Sequence, residues 1–338
     1  MSVLLTRRHF LTALLLYLAF ALAVMFVAPF IGSESIDLRT IISDVKAGAD
    51  SYGADTRIFI YQRIPRVLLG FLVGGSLALV GSVLQIIFRN PLAAPSTLGI
   101  TAGCSLGAVL AISVPQLAIY LGPLTSVQIF ALIGSALTLG LIYFLARRTE
   151  GLSMYTLLLA GVTIGIFSSA LIQLIRYLSD PNHLVAMDRW IMGGLDVIGY
   201  QQLGPLLPLL LPGAGLLFMQ MRSLNHLSLG KDMALGHGVD VAAVQKFCFW
   251  GAGLVTAGAV SFSGPIFFVG LLIPHAVRRL SGLDQRIVMP ASFLAGGAFL
   301  IACDTAARTI VAPTEMPVGI ITAIVGGPFF IYLLLRKK

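Results

Sequence analysis

Ten apolar runs succeed one another along the 338-residue chain, and most are long enough to cross a lipid bilayer. A membrane-spanning helix needs about 20 predominantly apolar residues. Charged residues make up 11% of the chain, whereas a soluble domain carries about 25%. The pattern therefore predicts an all-α polytopic membrane protein whose single transmembrane domain covers residues 1–338. The ten predicted spans are 10–31, 64–87, 95–113, 122–146, 154–178, 201–221, 240–261, 266–280, 287–306 and 317–335.

The basic residues predict how these spans are oriented. With ten spans both termini lie on one side, and 14 of the 22 Lys and Arg residues fall on that side. Cytoplasmic loops carry the excess of Lys and Arg. We therefore expect a multi-pass protein of the inner (plasma) membrane, with both termini cytoplasmic and residues 32–62 and 179–200 outside. The cations are spread over short loops, so no nucleic-acid partner is predicted.

The chain lacks the sequence patterns of an ATPase or another enzyme. Its only Gly-Lys pair, Gly230-Lys231, has neither the upstream Gly nor the following hydroxyl of a phosphate-binding loop. Cys104, Cys248 and Cys303 lie in apolar segments without paired spacing, which is typical of buried thiols that behave as small apolar side chains. We therefore predict no catalytic residues, no metal site and no resident cofactor.

Acidic residues are also scarce within the predicted spans. Proton- or sodium-driven carriers usually place carboxylates inside the membrane. Here only Asp304 and Glu315 come close, and both fall near a helix end predicted to be external. This disfavours a secondary transporter working without an ATPase, which is kept as the alternative function.

Several short motifs occur in order from about residue 57 to residue 338. They are Arg63-Ile64-Pro65-Arg66, Asn90-Pro91-Leu92-Ala93, Trp190-Ile191-Met192-Gly193-Gly194, Leu227-Ser228-Leu229-Gly230 with Ala234-Leu235-Gly236, Gly264-Pro265-Ile266, and Asp304 with Arg308, Glu315 and Pro317-Val318-Gly319. In this order they resemble the signatures of the FecCD/BtuC-type permeases, the ABC importer subunits for ferric siderophores, haem and cobalamin.

This resemblance implies a BtuC-like type II ABC importer permease with about ten transmembrane helices per subunit. Its function would be ATP-driven import of a metal chelate, a ferric siderophore, cobalamin or haem, into the cytoplasm. Two permease copies, expected to form a homodimer, would enclose the pathway. Two separate ATPase subunits would hold ATP and Mg, and a periplasmic or lipid-anchored binding protein would deliver the substrate.

The resemblance also assigns roles to individual residues. It implies that Arg63, Arg66 and Arg308 dock the binding protein, although they could instead be interfacial anchors. Asp304 and Arg308 are spaced i, i+4, so a helix-stabilising ion pair is the other reading of Arg308. The segment 222–239 is expected to contact the ATPase through Leu227, Ser228, Leu229, Gly230, Ala234, Leu235 and Gly236.

The cytoplasmic gate is the last set of implied residues. Asn90 and Leu92 match residues that narrow the pathway in relatives, and Asn90-Pro91 would in any case end a helix. Met154 and Tyr155 fall at the second constriction, where family members carry small hydroxyl residues. In the ATPase-facing segment, Ser228 is predicted to cap a short helix that begins at Leu229.

Overall fold

The computed structural model describes residues 7–48, 52–147 and 153–335, and α-helices account for most of these ranges. In chain order the helices are α1 (Arg7–Val27), α2 (Leu38–Ala47), α3 (Ala54–Ile58), α4 (Ile64–Ile87), α5 (Ile100–Ser113), α6 (Ser126–Ala146), α7 (Met154–Leu178), α8 (Pro181–Met192), α9 (Leu203–Met219), α10 (Met221–Ser228), α11 (Lys231–Gly236), α12 (Val241–Ser263), α13 (Val269–Ser281), α14 (Gln285–Thr309) and α15 (Val318–Leu335). A π-helical turn, Phe59–Arg63, joins α3 to α4.

Each predicted span overlaps one helix, so the all-α polytopic architecture is confirmed. By length and composition alone, five described helices could cross a membrane, or six if α9 and α10 form one span bent by 51°. α5 and α15 are shorter apolar helices. α5 begins at Ile100, later than predicted, because Pro95–Leu98 forms a 3-10 turn and Gly99 then adopts a φ of 70°.

α4 is the central helix of the bundle. Every residue from Val73 to Ile87 is buried, and the helix packs against α9, α12, α13 and α14. A Cβ atom on Gly74 would lie 2.4 Å from the carbonyl oxygen of Gly296 in α14, closer than any side chain can approach. Glycine at this crossing therefore lets the two backbones touch, which is how helices associate where lipid supplies no hydrophobic drive.

Three motifs that are far apart in the sequence meet in one place. Gly193, which ends α8 with a φ of 76°, would place a Cβ atom 2.3 Å from the carbonyl oxygen of Pro265. The next amide, Gly194 N–H, donates to Ser263 O at 2.8 Å, and Gly319 N–H donates to Gly193 O at 3.2 Å. The Trp-x-x-Gly-Gly, Gly-Pro and Pro-Val-Gly motifs thus form a single backbone junction between α8, α12 and α15.

The two ends of the bundle carry different sets of side chains. α4 and α14 run in opposite directions, so the start of α4 lies beside the end of α14. We call this the arginine end, because Arg63, Arg66 and Arg308 lie there. The opposite end carries α10 and α11, which lie near the end of α4 and the start of α14. We call it the coupling end.

Candidate functional site

At the arginine end, Arg66 joins α4 to two acidic residues. Its Nε donates to both carboxylate oxygens of Asp304 at 3.0 Å, and its Nη2 donates to the same group at 2.9 Å. Nη1 donates to Glu315 at 2.6 Å. The Asp304 side chain is only 3% exposed, whereas that of Glu315 is 35% exposed. Arg66 therefore bridges a buried carboxylate and one that solvent reaches.

The two other predicted docking arginines are buried beside it. Arg308 Nε lies 3.1 Å from Asp304 Oδ2, which is the i, i+4 ion pair that the spacing allowed. Arg63 donates from Nη1 to Pro29 O at 3.0 Å and from Nη2 to Glu34 O. These bonds tie the segment after α1 to the start of α4. All three predicted residues thus come together, but each already has partners within the chain.

The cluster is close to charge-balanced, and solvent reaches it at one edge. Three guanidinium groups meet the carboxylates of Asp304, Glu315 and Glu34. A cleft of about 610 Å³ opens beside Arg66 and Glu315. Its far wall carries Arg189 and Asp196, an exposed ion pair at 3.1 Å that the sequence motifs did not single out.

At the coupling end, the predicted contact segment divides into anchoring and exposed side chains. Leu227 and Ala234 are buried and pack into the core, so they hold the segment on the bundle. Leu229, Met233 and Leu235 are more than half exposed. Exposed large apolar side chains in a polar segment are typical of a surface that another protein covers.

The backbone of this segment differs from the expected one. Ser228 is the last residue of α10, and its hydroxyl donates to Asn225 O at 2.7 Å, so the predicted cap of a helix at Leu229 is wrong. The next helix begins only at Lys231, because Gly230 takes a φ of 133° that ends the first turn and redirects the chain. The sequence pattern of Ser228 followed by Leu229 does not indicate that the helix ends there and that the next one begins only at Lys231.

Asn225 connects this segment to α14 and was not identified from the sequence. Its Nδ2 donates to Asp284 at 2.9 Å, and its Oδ1 accepts from Gln285 N–H at 2.7 Å. Burial by itself would raise the pKa of Asp284. The carboxylate also accepts hydrogen bonds from the side chain of Arg286, from Asn225 and from the Arg286 N–H. These bonds outweigh the effect of burial, so the pKa of Asp284 lies below its usual range. α14 therefore extends from the coupling segment to the arginine cluster.

The predicted gate residues lie near the start of α7 and the end of α4. Asn90 Oδ1 accepts from Leu92 N–H at 2.9 Å, which forms a tight turn and leaves Leu92 exposed. Met154, the first residue of α7, is half-buried, and Tyr155 is 77% exposed. Residues 148–152 of the loop before α7 lie outside the described residues. The gate role of these four side chains stays a prediction.

A cavity of about 730 Å³ lies along α5 and α7, with α8 at one side. Polar side chains recur along its walls at helical spacing: Thr101 and Ser105 on α5, and Ser169, Gln173 and Arg176 on α7. The cavity is therefore an apolar-walled space with hydroxyl, amide and guanidinium groups spaced along it. The i, i+4 spacing of Thr101 with Ser105 and of Ser169 with Gln173 was the signal available in the sequence.

Metal ligation has no support in the described part of the chain, where no group of three or more His, Cys, Asp or Glu residues could hold an ion. All three cysteines are buried free thiols, as predicted.

Comparison with known proteins connects this geometry to a family. The model of the FecCD transport family matches residues 17–336. The chain belongs to the FecCD transport family. It is therefore the permease subunit of an ABC importer, and a secondary transporter is not favoured.

Individual relatives agree with this assignment. The chain is 42% identical over 276 residues to the cobalamin import system permease protein BtuC of Halobacterium salinarum, covering 82% of this chain and 73% of that protein. It is 37% identical over 329 residues to the hemin transport system permease protein HmuU of Yersinia pestis, covering 97% and 95%. A solved inward-facing conformation of a metal-chelate type ABC transporter superposes with a TM-score of 0.82 at 29% identity, covering 97% of this chain and 99% of that one.

Proposed function

We propose that this permease imports a metal chelate, with the arginine end outside the cell and the coupling end, together with both termini, in the cytoplasm of a bacterial-type inner membrane. The coupling end carries the observation that supports it best: the exposed apolar side chains of Leu229, Met233 and Leu235, in a segment held by buried neighbours. Such a surface suits a separate ATPase subunit that holds ATP and Mg. Two ATPases and two permease copies, in a homodimer, would complete the transporter.

Gly236 offers a direct test of ATPase docking. It is the last residue of α11, and a Cβ atom built on it has no atom within 4 Å. Gly236→Trp should therefore leave the fold of this chain intact while placing a bulky ring on the surface that faces the ATPase. We expect the ATPase to be lost on co-purification, or its hydrolysis to be uncoupled from uptake.

A second glycine with free space around its Cα provides a matched control. Gly140 in α6 likewise has no atom within 4 Å of a built Cβ, but it lies on a helix outside the coupling segment. Gly140→Trp should leave ATPase retention unchanged. Equal retention and equal coupled uptake in both variants would contradict a coupling role for α11.

The arginine end is proposed to receive the binding protein, and its charge provides the test. Replacing buried Arg63 or Arg308 would disturb folding, so the informative change is Glu315→Gln at the cluster's exposed edge. The change raises the net charge of the cluster by one. If an acidic partner docks here, its association rate at low salt should rise and depend more steeply on salt. A slower association would mean that the carboxylate, rather than the arginines, contacts the partner.

The relatives support a proposal for the substrate class. Those named above are permeases for cobalamin and for hemin, and the solved neighbour is of the metal-chelate type. Cobalamin and haem are both metal-centred macrocycles, so we favour such a chelate over a ferric siderophore. Reconstituted transporter with its binding protein should hydrolyse ATP faster and accumulate label with cobalamin or hemin. Accumulation of a ferric siderophore alone would overturn this choice.

A further inference from the structure

A pocket of about 380 Å³ lies at the coupling end, where the end of α4 meets α10 and α13. Two arginines, Arg89 and Arg278, line it together with Ser228, Leu229 and Gly230 of the coupling segment. Among its described lining residues there is no Asp or Glu. The pocket is therefore cationic and has no counter-charge of its own.

Arg278 is held rigidly in this pocket by neutral groups. Its Nη2 donates to Ser82 O at 2.8 Å, and its Nη1 donates to the side-chain oxygen of Gln85. Gln85 is itself fixed, because its Nε2 donates to Leu271 O at 3.2 Å. The guanidinium is thus positioned by hydrogen bonds that orient it but do not neutralise it. A half-buried charge of this kind gains most from an anionic partner.

Arg89 is exposed and occupies an unusual backbone position. α4 ends at Ile87, and Arg89 follows with a φ of +46°. Glycine is the ordinary residue where the chain leaves a helix in this left-handed conformation. A bulky residue kept in a strained conformation points to a use for its side chain. One guanidinium nitrogen of Arg89 lies 3.8 Å from a Cβ built on Gly230, so the charge faces the coupling segment.

We propose that this pocket receives a carboxylate side chain of the ATPase subunit, clamped between Arg89 and Arg278. The occupant is assigned to the ATPase rather than to a phospholipid headgroup because three lining residues belong to the coupling segment. The inference rests on the proposed function, since it requires that the ATPase docks at this end. The exposed apolar side chains of the coupling segment supply contact area, and the pocket fixes the register by a charge-assisted bond.

The experiment uses the full permease co-expressed with its ATPase, purified in detergent, and measures the apparent Kd of the ATPase over a series of NaCl concentrations. Arg89→Glu should weaken binding about tenfold or more at low salt and flatten the salt dependence, because a like charge replaces an attraction. Arg89→Lys should retain most of the affinity, because it keeps the charge.

Arg279→Glu is the matched control, because Arg279 is an exposed neighbour of Arg278 that does not line the pocket. It should change the Kd by less than about twofold, as surface charges away from a contact do. Equal effects of the Arg89 and Arg279 reversals would overturn the proposal. The proposal would also be overturned if Arg89→Glu did not change the Kd in phosphatidylcholine nanodiscs but weakened ATPase binding in phosphatidylglycerol nanodiscs. That result would assign the pocket to lipid.

Two further outcomes separate this inference from the proposed function. If the Gly236→Trp variant loses the ATPase while the Arg89→Glu variant binds it with wild-type affinity, the proposed carboxylate site in the pocket is wrong and ATPase docking at α11 is supported. If the wild-type permease does not bind the ATPase at any salt concentration, the proposed function itself fails.

Discussion

Asp304 should be the acidic residue whose loss costs this protein most stability. Its carboxylate is 3% exposed and accepts hydrogen bonds from both Arg66 and Arg308. Asp304→Asn keeps the shape of the side chain but leaves two guanidinium groups facing a neutral amide. Removing one partner of a buried ion pair destabilises by about 3–5 kcal/mol, because the remaining charge stays buried without compensation.

Glu315→Gln provides the matched comparison. It removes the same charge from the same cluster and leaves the same arginine, Arg66, without one partner. Because Glu315 is 35% exposed, water replaces much of the lost interaction, and we expect a cost of about 1 kcal/mol or less. The two variants therefore have the same net charge, but they differ in burial and in the number of guanidinium groups that lose a partner, which is two for Asp304 and one for Glu315.

The buried cysteines provide the assay. A thiol-reactive fluorogenic maleimide should label Cys104 and Cys248 only as the detergent-purified protein unfolds, since both are fully buried. Cys303 adjoins Asp304 and is replaced by Ala in every variant, so that a local change does not register as unfolding. The Asp304→Asn midpoint should fall by roughly 5–10 °C, and the Glu315→Gln midpoint by no more than about 2 °C. Equal midpoints for the two variants would refute the reasoning from burial.

Three other predictions concern the coupling end and the orientation. Asn225→Ala removes the hydrogen bonds to Asp284 and Gln285 and should lower the free energy of unfolding by about 1–3 kcal/mol, measured in the same thermal assay. An unchanged midpoint would show that these hydrogen bonds do not stabilise the fold. Because the folded pKa of Asp284 is lowered, its stabilising contribution is complete above its unfolded pKa of about 3.9 and is lost as the pH falls through the folded value. The protection factors of amides at the start of α14, which are exchange rates corrected for the intrinsic rate at each pH, should therefore fall only in that acidic range and stay constant between about pH 5 and 8. On a cysteine-free background, a cysteine at Ser35 should react with an impermeant external reagent and one at Asp232 should not; labelling at Asp232 would reverse the proposed orientation.

The sequence was sufficient to predict the spans and the family. Apolar runs of bilayer length have few structural solutions, since backbone groups in lipid must bond within their own segment. The ten helices accordingly lie where hydropathy predicted them. Helix ends were harder to place where a local backbone conformation decided them: Gly99 delays α5, and Gly230 separates α10 from α11.

The pairing of charged and polar side chains was decided by the tertiary structure alone. The sequence placed Arg63, Arg66 and Arg308 at one end of the bundle. Their burial, and the Asp304 carboxylate that Arg66 and Arg308 share, depend on how α4 packs on α14. Asn225 carried no motif that marked it, because its partners lie about 60 residues away in the chain. Hydropathy and spacing indicate which face of a helix is apolar. Only the packing of helices determines which charged side chains meet. Packing therefore decides which arginines are neutralised within the chain and which remain available to a partner.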